Sequence, residues 1–207
     1  MQNIEKYKTI GSFNETTFKE KSSVFNGQAY PVENEEDVLQ ILEKIKKKYY
    51  DATHHCYAYR LVGEKIKYSD AGEPSGTAGI RILNAINHFN LQNILVIVTR
   101  YFGGTKLGFG PLGKAYYNSA IQTLENALII KKQAYKKIFI ETDLNQVNNI
   151  YHLVDEFNSK ITKSDYSDNV KFECLVSSEK VEQFETKINE LSKGGAKIII
   201  EESLIFI

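Results

Sequence analysis

Hydrophobic positions in the second half of the chain alternate between the periods of strands and helices. Four segments rich in β-branched and aromatic residues are bounded by polar residues, which predicts strands. They cover residues 134–142, 160–166, 170–176 and 196–206. Between them, apolar residues recur three and four positions apart, which predicts two amphipathic helices. We expect Asp143, with Gln146, to cap the first helix and Ser178 to cap the second, in the order β-α-β-β-α-β.

The first half of the chain shows the same two patterns at less regular spacing. Strands are predicted at residues 24–32, 55–62 and 94–99, and helices after the cap residue Asn34 and at 79–89 and 112–128. The apolar run ILVIVT at 94–99 predicts a strand that is covered on both faces. The glycine- and serine-rich stretch 63–78 predicts a loop.

These patterns predict an α+β protein with two domains, residues 1–133 and 134–207, the second with the element order of the ferredoxin-like motif. Hydrophobic residues make up 42% of the 207 positions and charged residues 25%, which is ordinary for a globular protein. No apolar run approaches the roughly 18 residues of a membrane helix, and the N-terminus lacks the apolar core of a secretory signal. The chain has only two cysteines, Cys56 and Cys174. We therefore expect a soluble, cytoplasmic protein with no disulfide framework and no membrane partner.

The net charge of zero conceals a difference between the two predicted domains. Residues 1–133 contain 17 basic and 13 acidic side chains, and residues 134–207 contain 9 and 13. A mildly basic first domain suits an anionic partner, but solvated surfaces explain the difference equally well. The excess is far below that of a strongly basic nucleic-acid-binding domain.

The glycine segment, RYFGGTKLGFGPLGK at residues 100–114, matches two nucleotide-binding patterns by letters alone. Its G-x-G-x-x-G match does not follow the preceding strand directly, as a dinucleotide site requires. Its G-x-x-x-x-G-K match is followed by Ala115 instead of the serine or threonine that holds Mg²⁺. Nucleotide hydrolysis is therefore not favoured.

The physical chemistry of the glycine segment still suits an anion or a nucleic acid. Glycines expose backbone N–H groups, and a helix that starts near Pro111 attracts anions. Basic residues interleaved with aromatic ones are typical of single-strand binders, so we expect Arg100 and Lys114 to hold phosphate and Tyr101 or Phe102 to stack on a base. The candidate binding residues are Arg100, Tyr101, Phe102, Gly103, Gly104, Lys106, Gly108, Gly110 and Lys114. The alternative is a tight connection packed by its own aromatic rings.

The acidic segment, SDAGEPSGTAG at residues 69–79, contains two carboxylates among hydroxyls and glycines. Asp70 and Glu73 could act as an acid/base pair. A solvated turn whose aspartate binds its own backbone explains the same letters.

The histidine segment, HHC at residues 54–56, opens a predicted strand. Neighbours on a strand point to opposite faces, so His54 and Cys56 share one face and His55 lies on the other. No zinc-site spacing completes a ligand set, so we expect no metal and no cofactor. The candidate catalytic residues are His54, His55, Asp70 and Glu73.

Taken in this order, HHCYAYRL, SDAGEPSGTAG and VTRYFGGTKLGFGPLGKAY resemble the YigZ/IMPACT family over about residues 19–128. The resemblance implies a first domain with the fold of domain 2 of a small-subunit ribosomal protein, which also occurs in domain IV of elongation factor G. The second domain looks like the ferredoxin-like domain V of that factor. Eukaryotic members are translational regulators that relieve inhibition by a starvation-sensing kinase through protein binding, and bacterial members are suspected nucleic-acid binders. The family has no established catalytic residue, so the resemblance transfers no proven role.

Three functions remain open from the sequence. The first is a non-enzymatic protein that binds RNA, the ribosome or a translation factor and regulates translation, with the three segments on one face. The second is a hydrolase that uses His54 or His55 with Asp70 and Glu73. The third is a pure protein-interaction module.

Overall fold

The chain divides into two compact units with separate hydrophobic cores. A computed structural model describes residues 4–63, 65–167 and 169–207. The first unit comprises Tyr7–Lys131, and the second comprises residues 4–6 and Lys132–Ile207. The described residues form two five-stranded sheets and five α-helices. The protein is therefore of the α+β class, as predicted.

The first unit is built on a sheet in which β6 is the central strand. The strand order is β2-β3-β6-β4-β5, and every pair in it is antiparallel. The strands are β2 (Asn14–Glu20), β3 (Ser23–Pro31), β4 (His54–Arg60), β5 (Ile66–Ser69) and β6 (Ile94–Tyr101), preceded by β1 (Lys6–Ile10). The helices are α1 (Glu35–Lys48), α2 (Gly79–His88) and α3 (Phe109–Glu125).

Helices cover both faces of β6, which confirms the prediction from its unbroken apolar run. Val96 and Val98 belong to the core that α2 and α3 form on one face. Leu95 and Ile97 pack with α1 residues on the other. Gly27 of β3 lies opposite Val98, and its bare Cα allows Thr123 and Ser119 of α3 to approach the sheet closely.

The second unit has the predicted order β-α-β-β-α-β. Its elements are β7 (Ile129–Thr142), α4 (Val147–Glu156), β8 (Lys160–Tyr166), β9 (Val170–Ser177), α5 (Val181–Ser192) and β10 (Lys197–Phe206). Within this unit β7 pairs with β9 and with β10, and β9 pairs with β8. One face of the sheet packs on both helices, with Phe172 and Phe184 among the fully buried side chains.

Local signals placed some element boundaries incorrectly. The predicted loop 63–78 contains β5, and Glu64 of that stretch lies outside the described residues. This strand has four mostly exposed residues and pairs with β4 at the end of the strand order, so no alternation of buried and exposed residues reveals it. The third helix begins at Phe109 instead of residue 112, and β7 begins at Ile129 instead of residue 134.

The helix caps were predicted with mixed success. Asn34 caps α1 by accepting a hydrogen bond from the Asp37 backbone N–H at 2.9 Å. The predictions for Asp143 and Ser178 are wrong, because a 3-10 turn precedes each helix and moves its first α-helical residue to Val147 and to Val181. The side chains that then precede the helices make no cap hydrogen bond. Among the described residues, no helix combines the length and the apolar character needed to cross a membrane.

Candidate functional site

A cavity of about 430 Å³ opens in the first unit where the three segments meet, and we call it the Glu73 cavity. Its lining includes His54, Glu73, Arg100, Phe102, Lys106 and Phe109. The histidine, acidic and glycine segments therefore share one face, as expected from the sequence.

Strand pairing explains why the segments converge. His54 at the start of β4 lies directly opposite Arg100 near the end of β6. The acidic segment follows β5, which pairs with β4 on its other edge. The glycine segment leaves β6 at the same end of the sheet and returns as α3. Residues 46 positions apart in the sequence thus come to one end of the sheet.

Asp70 holds the acidic segment in place. Its carboxylate accepts hydrogen bonds at 2.8–2.9 Å from the backbone N–H groups of Gly76, Ala78 and Gly79. Gly79 is the first residue of α2. Burial alone would raise the pKa of Asp70, but these hydrogen bonds outweigh it and lower the pKa below its ordinary value. Asp70 therefore stays ionised as the acceptor at a helix N-terminus, and its oxygens are not available for acid/base work.

Glu73 lies at the base of the cavity and is only 8% exposed. Its Oε1 accepts a hydrogen bond from Arg100 Nη1 at 2.6 Å and another from the Tyr116 hydroxyl at 2.8 Å. A charge-assisted pair at this distance is strong when both groups are removed from water. Burial raises the pKa of the Tyr116 hydroxyl, which keeps it a donor.

Arg100 is also buried, at 5% exposure, although the sequence predicted a phosphate ligand at this position. Its guanidinium carbon lies 5.4 Å from the ring centres of both Phe25 and Phe102, and its Nη2 donates to the Ser23 hydroxyl at 3.3 Å. Glu73 compensates its charge. Arg100 therefore belongs to the internal structure of the site and does not present a free charge to an anion.

His54 faces the cavity with a defined orientation. Its Nδ1 lies 2.9 Å from the backbone carbonyl oxygen of Ala71, and its Nε2 lies 3.8 Å from Glu73 Oε2. The turn that supplies this carbonyl has positive φ at Ala71 and at Gly72, and a Cβ on Gly72 would come within 3.3 Å of the histidine ring. Glycine is therefore needed beside the imidazole.

His55 and Cys56 are not placed for catalysis in this cavity. His55 is on the opposite face, where its Nδ1 lies 3.3 Å from the Thr99 hydroxyl and burial lowers its pKa. The Cys56 sulfur is fully buried, 2.9 Å from the Asp70 carbonyl oxygen and 3.3 Å from the Tyr116 hydroxyl. Burial raises the pKa of the Cys56 thiol to about 12, so it remains protonated and is a poor nucleophile.

The glycine segment forms one wall of the cavity and its glycines have distinct roles. A Cβ on Gly103 would overlap with the backbone carbonyl of Ser22, whereas Gly104 and Gly108 have φ near +83° and open space around them. Gly110 is in the first turn of α3, also with open space. The segment is thus fitted to the β2–β3 turn at Gly103, whereas Gly104, Gly108 and Gly110 are exposed.

The remaining candidates of the glycine segment differ in exposure. Phe102 is 44% exposed and Phe109 is 59% exposed, and both rings line the cavity with exposed Lys106. The Tyr101 hydroxyl donates to Asp51 at 3.1 Å. Lys114 is exposed on α3 and is not among the lining residues. The aromatic wall therefore consists of Phe102 and Phe109.

Sequence reasoning missed Tyr116 and Ser23, which supply donors or acceptors to the buried network. Tyr116 is the largest fully buried side chain among the described residues, and a buried tyrosine hydroxyl needs a partner. The position of Tyr116 on the buried face of α3 is the signal in the sequence that could have identified it. Among the described residues, no three His, Cys, Asp or Glu side chains lie close enough together to hold a metal ion.

Comparison with known proteins places the three segments within one family domain. Residues 21–124 match the Impact N-terminal domain, half of the chain, and residues 140–194 match a domain of unknown function, DUF1949. The IMPACT family member YvyE of Bacillus subtilis is 31% identical over 198 residues, 94% of this chain and 91% of its own. The chain belongs to the IMPACT family.

Other members of the IMPACT family match over different lengths. YigZ of Escherichia coli is 31% identical over 78% of this chain and 81% of its own. Protein IMPACT of Oryctolagus cuniculus is 37% identical over 43% of this chain and 30% of its own. A crystal structure of a hypothetical protein superposes with a TM-score of 0.68 at 28% identity, covering 97% of this chain and 100% of that chain.

Proposed function

We propose that this protein is a non-enzymatic binder of single-stranded RNA that acts on the translation machinery, and that the Glu73 cavity receives a base. The observation that carries the proposal is the pair of exposed rings, Phe102 and Phe109, on one cavity wall with Lys106 beside them. Stacking on aromatic side chains beside a cation is the usual way in which proteins bind single strands. A cavity of about 430 Å³ is large enough for a base.

The charges of the site support phosphate contacts at the rim of the cavity and none at its floor. Arg100 is compensated by Glu73, so the cations left to contact phosphate are exposed lysines such as Lys106 and Lys114. Few cations imply a modest salt dependence, because each phosphate contact on a single strand contributes a slope of roughly −0.7 to the plot of log K against log salt.

The fold likenesses implied by the family are part of the proposal. We take the first unit to resemble domain 2 of a small-subunit ribosomal protein and domain IV of elongation factor G. The sheet order β10-β7-β9-β8 supports a ferredoxin-like second unit similar to domain V of that factor. Both likenesses favour a partner in translation.

The hydrolase alternative now rests on His54 and Glu73 alone. The carboxylate of Asp70 is occupied by three backbone N–H groups, and His55 lies on the other face of the sheet. Glu73 Oε1 is occupied by Arg100 and Tyr116.

The test is fluorescence anisotropy of a labelled single-stranded RNA of about ten nucleotides at about 50 mM and about 200 mM salt. Replacing either ring, in Phe102→Ala or Phe109→Ala, is expected to weaken binding about 10-fold, since base stacking contributes about 1–3 kcal/mol. Lys106→Ala should weaken binding and reduce the magnitude of the salt slope by about 0.7.

The matched control is Phe13→Ala, because Phe13 is 47% exposed in the first unit and packs on Tyr30 away from the cavity lining. It should leave RNA binding unchanged. No binding at the lower salt concentration would overturn the proposal. A partner from cell extract that stays bound after nuclease treatment, with no direct RNA binding, would favour the protein-interaction module instead.

A further inference from the structure

Two hydrogen-bond acceptors lie side by side in the lining of the Glu73 cavity. The carbonyl oxygen of Ala71 can only accept, so the nitrogen 2.9 Å from it, His54 Nδ1, carries a proton. In the neutral ring, Nε2 is then the acceptor. It lies 3.8 Å from Glu73 Oε2, too far for a hydrogen bond between them.

The second acceptor, Glu73 Oε2, is available because Arg100 and Tyr116 both bind the other oxygen. Within the part of the chain that the structure describes, Oε2 makes no hydrogen bond. The side chain nevertheless has 3% exposure and is fixed by two strong donors, so Oε2 is held rigidly at the cavity. A preorganised acceptor of this kind selects ligands that supply a donor, because an unpaired one is costly to bury.

The charge of the site favours a neutral donor over a cation. The guanidinium of Arg100 lies 2.6 Å from Glu73 Oε1 and compensates the carboxylate. An ammonium group or a metal ion at Oε2 would therefore meet a nearby positive charge as well as the carboxylate. A neutral N–H group meets no such repulsion.

We infer that the Glu73 cavity recognises guanine, with Glu73 Oε2 and His54 Nε2 accepting from the two neighbouring donors on its Watson–Crick edge. Guanine is the common RNA base with two adjacent donors on that edge, the ring N1–H and the exocyclic amino group. Adenine, cytosine and uracil each offer a single donor position on that edge, and its neighbour is an acceptor, which would face an acceptor of the protein. Phe102 and Phe109 on the cavity wall provide faces for the planar ring. This inference rests on the proposed binding of RNA and names the base that enters the cavity.

The experiment uses the full chain and uridine RNAs of about ten nucleotides that carry one central guanosine, inosine or adenosine. Guanosine is expected to bind about 10-fold more tightly than adenosine, since a bidentate base contact discriminates by roughly that factor or more. Inosine keeps the ring N1–H but lacks the amino group, so its affinity should fall between the two. These comparisons leave the protein unchanged and do not depend on a variant that folds.

The protein variant is His54→Phe, which keeps a ring at the position and removes the acceptor. It should reduce the preference for guanosine over adenosine to about 3-fold or less, one acceptor of the bidentate pair being lost. His152→Phe is the control, because His152 is exposed on α4 of the second unit, and it should retain the full preference. Circular dichroism checks that both variants fold.

The outcomes separate the inference from the proposal on which it rests. If no RNA binds, the proposed function fails and the inference fails with it. If all three RNAs bind equally, RNA binding stands and guanine recognition is overturned. If the guanosine preference survives unchanged in His54→Phe, the acceptor pair is not the source of the preference and the inference is also overturned.

Discussion

The carboxylate of Glu73 connects side chains from three elements of the first unit. Arg100 comes from β6, Tyr116 from α3 and His54 from β4, and each places a polar atom within 3.8 Å of a Glu73 oxygen. The neighbours in sequence contribute backbone geometry instead, since Ala71 orients His54 and Gly72 makes room for its ring. At the scale of the residue, the site is an ion pair that is fixed inside the protein and leaves one oxygen to the cavity.

Replacing Glu73 should destabilise the first unit strongly. Glu73→Gln leaves the Arg100 guanidinium buried without its counter-charge, and we expect a loss of about 3–5 kcal/mol in the free energy of unfolding. Tyr116→Phe removes one hydrogen bond to the carboxylate and should cost less, about 1.5–3 kcal/mol. Urea unfolding followed by circular dichroism measures both.

The control for these variants is Glu125→Gln, because Glu125 is exposed at the end of α3. Its effect should stay within about 0.5 kcal/mol. A Glu73→Gln protein as stable as this control would show that the pair with Arg100 contributes little net stability.

At the scale of the element, strand pairing and one close loop contact assemble the cavity wall. The β4–β6 register sets His54 beside Arg100. The glycine segment then leaves β6 and passes against the β2–β3 turn, where Gly103 touches the Ser22 backbone without room for a Cβ. The position of Phe102, next to Gly103, depends on this contact.

Three glycine-to-alanine variants should therefore differ in the size of their effect on stability. Gly103→Ala forces backbone atoms apart and should cost about 1–3 kcal/mol or more. Gly104→Ala places a side chain at φ +83° in open space and should cost about 1–2 kcal/mol. Gly110→Ala, in the first turn of α3 with open space around it, gains helix propensity but sets its Cβ against the ring of the following Pro111, so it should change stability by less than about 1 kcal/mol.

Thermal unfolding of the three variants beside the parent protein gives the order. If Gly103→Ala and Gly110→Ala proved equally stable, the contact between the glycine segment and the β2–β3 turn would not form in solution.

At the scale of the whole molecule, each unit buries one thiol in its core. Cys56 lies in the first unit and Cys174 in the second, and burial raises the pKa of each to about 12. Burial also raises the pKa of Tyr30 and Tyr59 to about 12. Acidic groups of this kind bind protons in the folded chain that the unfolded chain has already released at alkaline pH.

The free energy of unfolding should therefore decline as the pH rises above about 9. Below pH 9.0, the pKa of the thiol in the unfolded chain, the thiol is protonated in both the folded and the unfolded chain, and its contribution to stability is fully present. This contribution is lost progressively as the pH rises toward about 12, the pKa of the thiol in the folded chain. The decline should steepen above about pH 10, where unfolded tyrosines also ionise. Urea unfolding at several pH values between about 7 and 11 measures the slope.

The matched variant is Cys174→Ala, which removes one of the titrating groups of the second unit and should flatten the curve between about pH 9 and pH 10. A parent protein whose stability is constant from about pH 8 to pH 11 would contradict the raised pKa values.

The sequence predicted most of the elements because their signals are local. The spacing of Val147, Ile150 and Val154 indicates α4, and the run ILVIVT indicates β6, without knowledge of what covers them. β5 escaped because its four residues are mostly exposed and only its pairing with β4 makes it a strand. Asp143 and Ser178 do not cap α4 and α5, because a 3-10 turn precedes each helix and moves its first residue. The local sequence gives no signal for these turns.

By itself, the sequence determined the α+β class, the order of elements in the second unit and membership of the IMPACT family, because periodicity and motif order are properties of neighbouring residues. Only the tertiary structure decided what the charged residues of those motifs do. Arg100 appeared to be an exposed phosphate ligand and Asp70 an acid/base candidate, yet the first is paired with Glu73 and the second caps α2. Their roles depend on contacts between residues 27 and more positions apart, such as Arg100 with Glu73 and Tyr116 with Glu73. Burial then sets which charges remain free, and burial is a property of the packed chain alone.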